Sequence, residues 1–139
     1  MFNQLLSSVN WLHVLVAAVA YFMLGAIWYS ALFQKQWIAM HKIDVNAPDA
    51  KKGAGVIFGI GFLLTIVIVA GIAIFKTQVP AINLVGGIKL GLFASVVFCS
   101  PPLAMSHLYL KKPFALIAID CAYHIIGSAI AGAIIGAWQ

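Results

Sequence analysis

Four long apolar runs alternate with short polar stretches along this chain: Trp11 to Phe33, Ala54 to Phe75, Ile82 to Leu108 and Phe114 to Trp138. Each is long enough for the roughly 20 residues that carry an α-helix across the hydrocarbon core of a bilayer. A transmembrane β-barrel would instead show segments of about ten residues with alternating polarity. These runs are continuous, so each is expected to be a helix that satisfies its own backbone hydrogen bonds where no water is available. The predicted fold is an all-α integral membrane protein, a bundle of four transmembrane helices forming one membrane domain over residues 1–139. The first run does not read as a cleavable signal peptide, because no Lys or Arg precedes it and no small-residue cleavage site closes a short apolar core. No internal repeat or low-complexity tract interrupts the pattern.

The polar stretches suggest an orientation. Lys35, Lys42, Lys51 and Lys52 fall in the linker 34–53, and Lys111 and Lys112 separate the last two runs. Between the second and third runs there is only Lys76. The excess of positive charge predicts that the first and third linkers are cytoplasmic, which leaves both termini extracytoplasmic. Within 34–53, Trp37, Ile38, Met40 and Ile43 alternate with Lys35, His41 and Lys42 at helical spacing. A short interfacial helix is expected there, with Trp37 at headgroup level. Asn46-Ala47-Pro48-Asp49 then turns the chain back.

Composition strengthens the membrane reading. Of 139 residues, 64% are hydrophobic and 8% charged, and the mean hydropathy is +1.07. Soluble domains carry about 25% charged residues. Three acids and eight lysines cannot solvate a domain of this size, so the lipid bilayer is the expected partner. The net charge of +5 comes from lysines between the runs, where they meet anionic headgroups. No basic stripe with interleaved aromatics is present, so nucleic acid is not expected. Cys99 and Cys121 lie inside apolar runs and form no CxxC pair. No phosphate loop, GxSxG, HExxH or carboxylate pair appears, so no cofactor or metal is expected and an enzyme ranks last among the functions considered.

Asp120 is the residue most open to a functional reading. It is the one acid inside a run, about 10 Å deep counting from Lys112, and an ionisable group there is costly enough to suggest a site. His124, Gly127, Ser128 and Ala131 follow it at i+4, i+7, i+8 and i+11, on one helix side flanked by Tyr123. An Asp and a His at that spacing can hydrogen-bond. Trp28, Tyr29 and Ser30 of the first helix fall at the same depth, and Ala18, Tyr21 and Gly25 share their face. Pro101 and Pro102 reach a similar level in the third helix and free the carbonyls near Val97 and Phe98. In the second helix Gly55, Gly59 and Gly61 are expected to permit close approach. The candidate ligand- or ion-binding layer is therefore Asp120, His124, Tyr29, Ser30, Trp28, Tyr123, Pro101 and Pro102. Lys89 is expected to snorkel to the outer headgroups, and His13, His41 and His107 to act as interfacial anchors.

The segment Gly25-Ala26-Ile27-Trp28-Tyr29-Ser30, followed by Leu32-Phe33 and Trp37, resembles the bacterial domain-of-unknown-function family 1761. Members are similar in having a first helix that ends in Gly-x-x-Trp-Tyr-Ser-Pro, a Lys-rich linker, and a last helix with an Asp and a nearby Tyr-His, like Asp120 and Tyr123-His124. Ala31 stands where the family often has Pro. The resemblance implies a multi-pass protein of the bacterial inner membrane and brings no activity with it. Two functions follow from the residues. The first is a small transporter or channel-like protein binding a proton, cation or small ligand at the buried polar layer, and it would need a homo-oligomer to enclose a path. The alternative is a structural or partner-binding membrane subunit in which the same layer only locks the helices.

Overall fold

The computed structural model describes residues 2–79 and 83–138. A short helix α1 (Phe2–Ser7) precedes α2 (Trp11–Ile27), which runs on through a π turn at Trp28–Leu32. Helix α3 (Gln34–His41) lies in the first linker. Helix α4 (Ala54–Gln78) follows, then α5 (Leu84–Ala94), a second π turn (Ser95–Cys99), α6 (Ser100–Tyr109) and α7 (Phe114–Ala137). No strand occurs among the described residues. Four helical segments are long and apolar enough to cross a membrane: Trp11–Leu32, Ala54–Gln78, Leu84–Tyr109 and Phe114–Ala137. The chain is thus an all-α integral membrane protein with four such helices. The expected start of the third run at Ile82 lies outside the described residues, and the helix opens at Leu84.

Two asparagines start two of these spans. Asn10 accepts from the amides of Leu12 and His13 at 3.1 and 3.3 Å, and Asn83 accepts from Gly86 N at 3.0 Å. Each side chain satisfies donors that the first helical turn leaves without partners.

Helix α7 is the centre of the bundle, in contact with α2, α4, α5 and α6. Its face bearing Asp120, Tyr123, Gly127, Ser128 and Ala131 is buried while Ile126 is exposed, as the 3.6-residue spacing predicts. Helix α4 turns one face outward from the bundle. Val56, Ile57 and Phe58 are each more than 60% exposed, at 66%, 68% and 64%. Water would penalise such a patch heavily, whereas lipid accepts it.

The tightest contact joins α5 to α7. A Cβ at Gly87 would lie 2.0 Å from the Gly132 carbonyl oxygen, and one at Gly91 would lie 2.0 Å from that of Ser128. A Cβ at Gly132 would lie 2.1 Å from the Gly87 oxygen. Only hydrogen fits between these two backbones, so this is close packing of the small-xxx-small kind. The sequence assigned close approach to Gly55, Gly59 and Gly61 instead, and the structure corrects that. A Cβ at Gly55 or Gly59 would meet nothing within 4 Å, and at Gly61 only the Phe22 ring at 3.8 Å. Glycine permits close approach only where its face of the helix meets another backbone, and Gly55 and Gly59 are exposed.

Candidate functional site

Asp120 sits six residues into α7, about 9 Å from its start, and is 7% exposed. Its Oδ1 accepts a hydrogen bond from the Tyr29 hydroxyl at 2.8 Å. Its Oδ2 lies 2.7 Å from His107 Nε2. One carboxyl group thereby ties the first, third and fourth spans together. Next to it, the Trp28 indole N–H donates to the Ile119 carbonyl at 3.1 Å. Two consecutive aromatics of the first span therefore serve two consecutive residues of α7. The π turn at Trp28–Leu32 makes this possible, because a locally widened helix re-aims side chains that a regular one would separate.

Ser30 is not part of this layer, since its hydroxyl donates back to the Ala26 carbonyl in its own helix. His124 also takes a different partner from the one its spacing suggested. Its Nδ1 lies 2.8 Å from the Tyr21 hydroxyl, which is also 3.2 Å from the His124 carbonyl oxygen. Ser128 Oγ donates to the same hydroxyl at 3.5 Å. Gly127 makes the seat for this tyrosine, because a Cβ there would lie 2.1 Å from the Tyr21 ring.

Tyr123 links the two clusters. Its ring centroid is 5.2 Å from that of Tyr29 and 5.4 Å from that of Tyr21, both edge-on. A file of polar-tipped side chains thus runs from His107 and Asp120 through Tyr29 and Tyr123 to Tyr21, His124 and Ser128. Tyr21→Phe should remove the group that His124 Nδ1 and Ser128 share and cost about 1–3 kcal/mol. Tyr123→Phe keeps the ring contacts and should cost clearly less. Thermal unfolding of the two purified variants in one detergent compares them.

Pro101 and Pro102 are exposed at the start of α6 and are not brought to Asp120. Their missing N–H groups would have served the carbonyls of Val97 and Phe98. The chain accommodates this with the π turn Ser95–Cys99, which the Ser100 N–H closes onto the Ser95 carbonyl. The hydroxyls of Ser95 and Ser100 are buried without hydrogen-bond partners. Lys89 is exposed on α5, five residues from its start at Leu84.

His107 is the participant that sequence reasoning missed. It lies two residues before the end of α6 at Tyr109, and counting backbone rise places it at the interface. The imidazole reaches inward to Asp120 from there. A cue existed in that His107 is the one histidine of the third run, at the end shared with Asp120. No group of three His, Cys, Asp or Glu side chains able to hold a metal ion occurs among the described residues. What the site can do is pass a proton between a carboxyl and an imidazole, with a phenol hydroxyl donating to the carboxyl.

Residues 12–136 match the model of the family described as "Protein of unknown function (DUF1761)", and the chain belongs to that family. No curated protein and no solved structure matches it.

Proposed function

We propose that Asp120 and His107 form a proton-binding pair through which this membrane protein couples proton uptake to movement of a small solute. The observation that carries this reading is the pairing itself. Both carboxyl oxygens are engaged by side chains of two other spans, at 2.8 and 2.7 Å, and the imidazole can give and take a proton while the phenol donates its hydrogen bond. A bound metal cation fits less well. Such ions need several oxygen ligands, and here Tyr29 and His107 already occupy the carboxyl group. The carbonyls freed by Pro101 and Pro102 belong to exposed residues and do not converge on it.

A carboxylate beside an imidazolium and a carboxylic acid beside an imidazole differ only in where one proton sits. Neither places a net charge in the hydrocarbon. A net charge arises only when a proton arrives or leaves, and that event is costly enough to drive a rearrangement of the bundle. The polar file ends at Ser128, about 21 Å along α7. Beyond it, Gly132 and Gly136 pack against the backbone of α5, so a proton entering from the lysine-rich side stops partway. This arrangement favours coupled movement over a simple leak. The excess of lysines favours a cytoplasmic position for that side in a bacterial inner membrane, and a homo-oligomer would complete the solute path.

The competing reading is a structural membrane subunit, favoured by the fact that Asp120 joins three spans. Proton counting separates the two. Between mildly acidic and mildly alkaline pH, purified wild type should release about one more proton per chain than Asp120→Asn. Equal release from two equally folded proteins would leave Asp120 as a lock and remove the transport reading.

A further inference from the structure

We propose that α3 is a latch over the lysine-rich mouth of the Asp120 site, shut while His41 is neutral and released when His41 takes up a proton. Its use as a gate rests on Asp120 being a proton site; its mechanics do not. Helix α3 begins at Gln34, separated by Phe33 alone from the π turn that carries Tyr29. Trp37 packs edge-on against Tyr29 with ring centroids 5.5 Å apart, and Tyr29 is the residue that holds Asp120 Oδ1. One turn further on, His41 lies against Trp37 at 4.3 Å. The helix stops there because Lys42 takes a left-handed conformation (φ 55°) and returns its N–H to the Ala39 and Ile38 carbonyls.

His41 Nε2 is shielded from solvent and has no hydrogen-bond partner. A neutral imidazole tolerates that modestly. A charged one, with an unpaired N–H held away from water, does not. The ionisable groups facing it are His107 on α6, Lys112 in the connection to α7, and Asp120 on α7. Lys112 and a charged His107 oppose protonation, and Asp120 favours it. Burial outweighs them all and holds His41 below the ordinary histidine value, with Lys112 adding to the effect.

The sign follows from linkage. Undocked, His41 binds a proton more readily than docked, so acid favours the undocked state by up to about tenfold per pH unit. Docking is complete above the ordinary histidine value of 6.5 and weakens as pH falls through the lowered one. The latch is weakly held, since α3 has eight residues and none fully buried. A helix that short has little stability of its own. Acid on the lysine-rich side would then admit water and protons to His107 and Asp120 together.

The test is ¹⁹F NMR of 5-fluorotryptophan-labelled protein in nanodiscs across a pH series, with the Trp37 signal assigned by Trp37→Phe. The Trp37 signal should move to a solvent-exposed position in acid, and His41→Gln, which cannot be protonated, should hold it in place. A signal that does not move, or that moves equally in His41→Gln, overturns the latch. The proton count on Asp120→Asn keeps the two ideas apart. A fixed Trp37 beside a lowered count removes the latch alone. A moving Trp37 beside an unchanged count removes the proton pair and leaves α3 as a pH-operated contact.

Discussion

A Gly132→Leu protein is expected to lose its folded bundle, whereas Gly59→Leu is expected to behave as wild type. At Gly132 the first added carbon would lie 2.1 Å from the Gly87 carbonyl oxygen and 3.2 Å from Gly91 N. These are backbone atoms, which cannot swing aside as a side chain can. The helices would have to separate, and that would open the seam at Gly87, Gly91 and Gly136 as well. Ordinary overpacking costs about 1–3 kcal/mol. With backbone on both sides the cost should exceed about 3 kcal/mol, a large part of the roughly 5–15 kcal/mol that keeps a protein folded. At Gly59 an added Cβ meets nothing within 4 Å, and leucine is the better helix former. Size-exclusion profiles of the two variants after mild solubilisation compare them directly. A monodisperse Gly132→Leu would mean that α5 and α7 do not pack as described.

The second large effect separates Asp120→Ala from Asp120→Asn. Alanine leaves the half-buried Tyr29 hydroxyl and His107 imidazole with nothing to accept their protons. Leaving two such groups unsatisfied costs about 1–3 kcal/mol for each. Asparagine keeps a carbonyl oxygen for Tyr29, and its amide can donate to His107 in the other tautomer. It should cost no more than about 1.5 kcal/mol. Proton binding should be lost in both, stability only in the alanine variant. Thermal unfolding beside proton release distinguishes the two. Equal destabilisation by Ala and Asn would show that the carboxyl charge itself holds the bundle.

Much of this geometry was legible in the sequence. Apolar run length gave four membrane-spanning helices, because hydrocarbon thickness sets one length for all of them. A fixed rise per residue brought Tyr29 and Trp28 level with Asp120, and periodicity identified the buried face of α7. The alternation around Trp37 anticipated α3. What could not be read was rotation between helices and side-chain reach. Asp120 and His124 share a helix side, yet Tyr21, seated against Gly127, takes His124 and leaves Asp120 to His107. Counting backbone rise left His107 at the interface because it ignores the inward reach of an imidazole. The spacing Gly-x-x-x-Gly occurs at Gly55 and Gly59, at Gly87 and Gly91, and at Gly132 and Gly136. Only the last two pairs face each other, and nothing in the motif says which. The Pro101–Pro102 break is absorbed by a π turn, a response no local pattern announces.

Infrared spectroscopy of the protein in lipid across a pH series reads the protonation of Asp120 itself. The chain has three acids, Asp44, Asp49 and Asp120, and the first two are exposed in the linker. A protonated carboxyl in a dry site therefore has one source. A carboxylic C=O band at the high frequency of an apolar environment should grow in and fade reversibly with pH in wild type. It should be absent from Asp120→Asn and displaced in His107→Gln. A spectrum with no such band changing with pH, while the fold remains intact, would show that Asp120 keeps one protonation state and only holds the helices together.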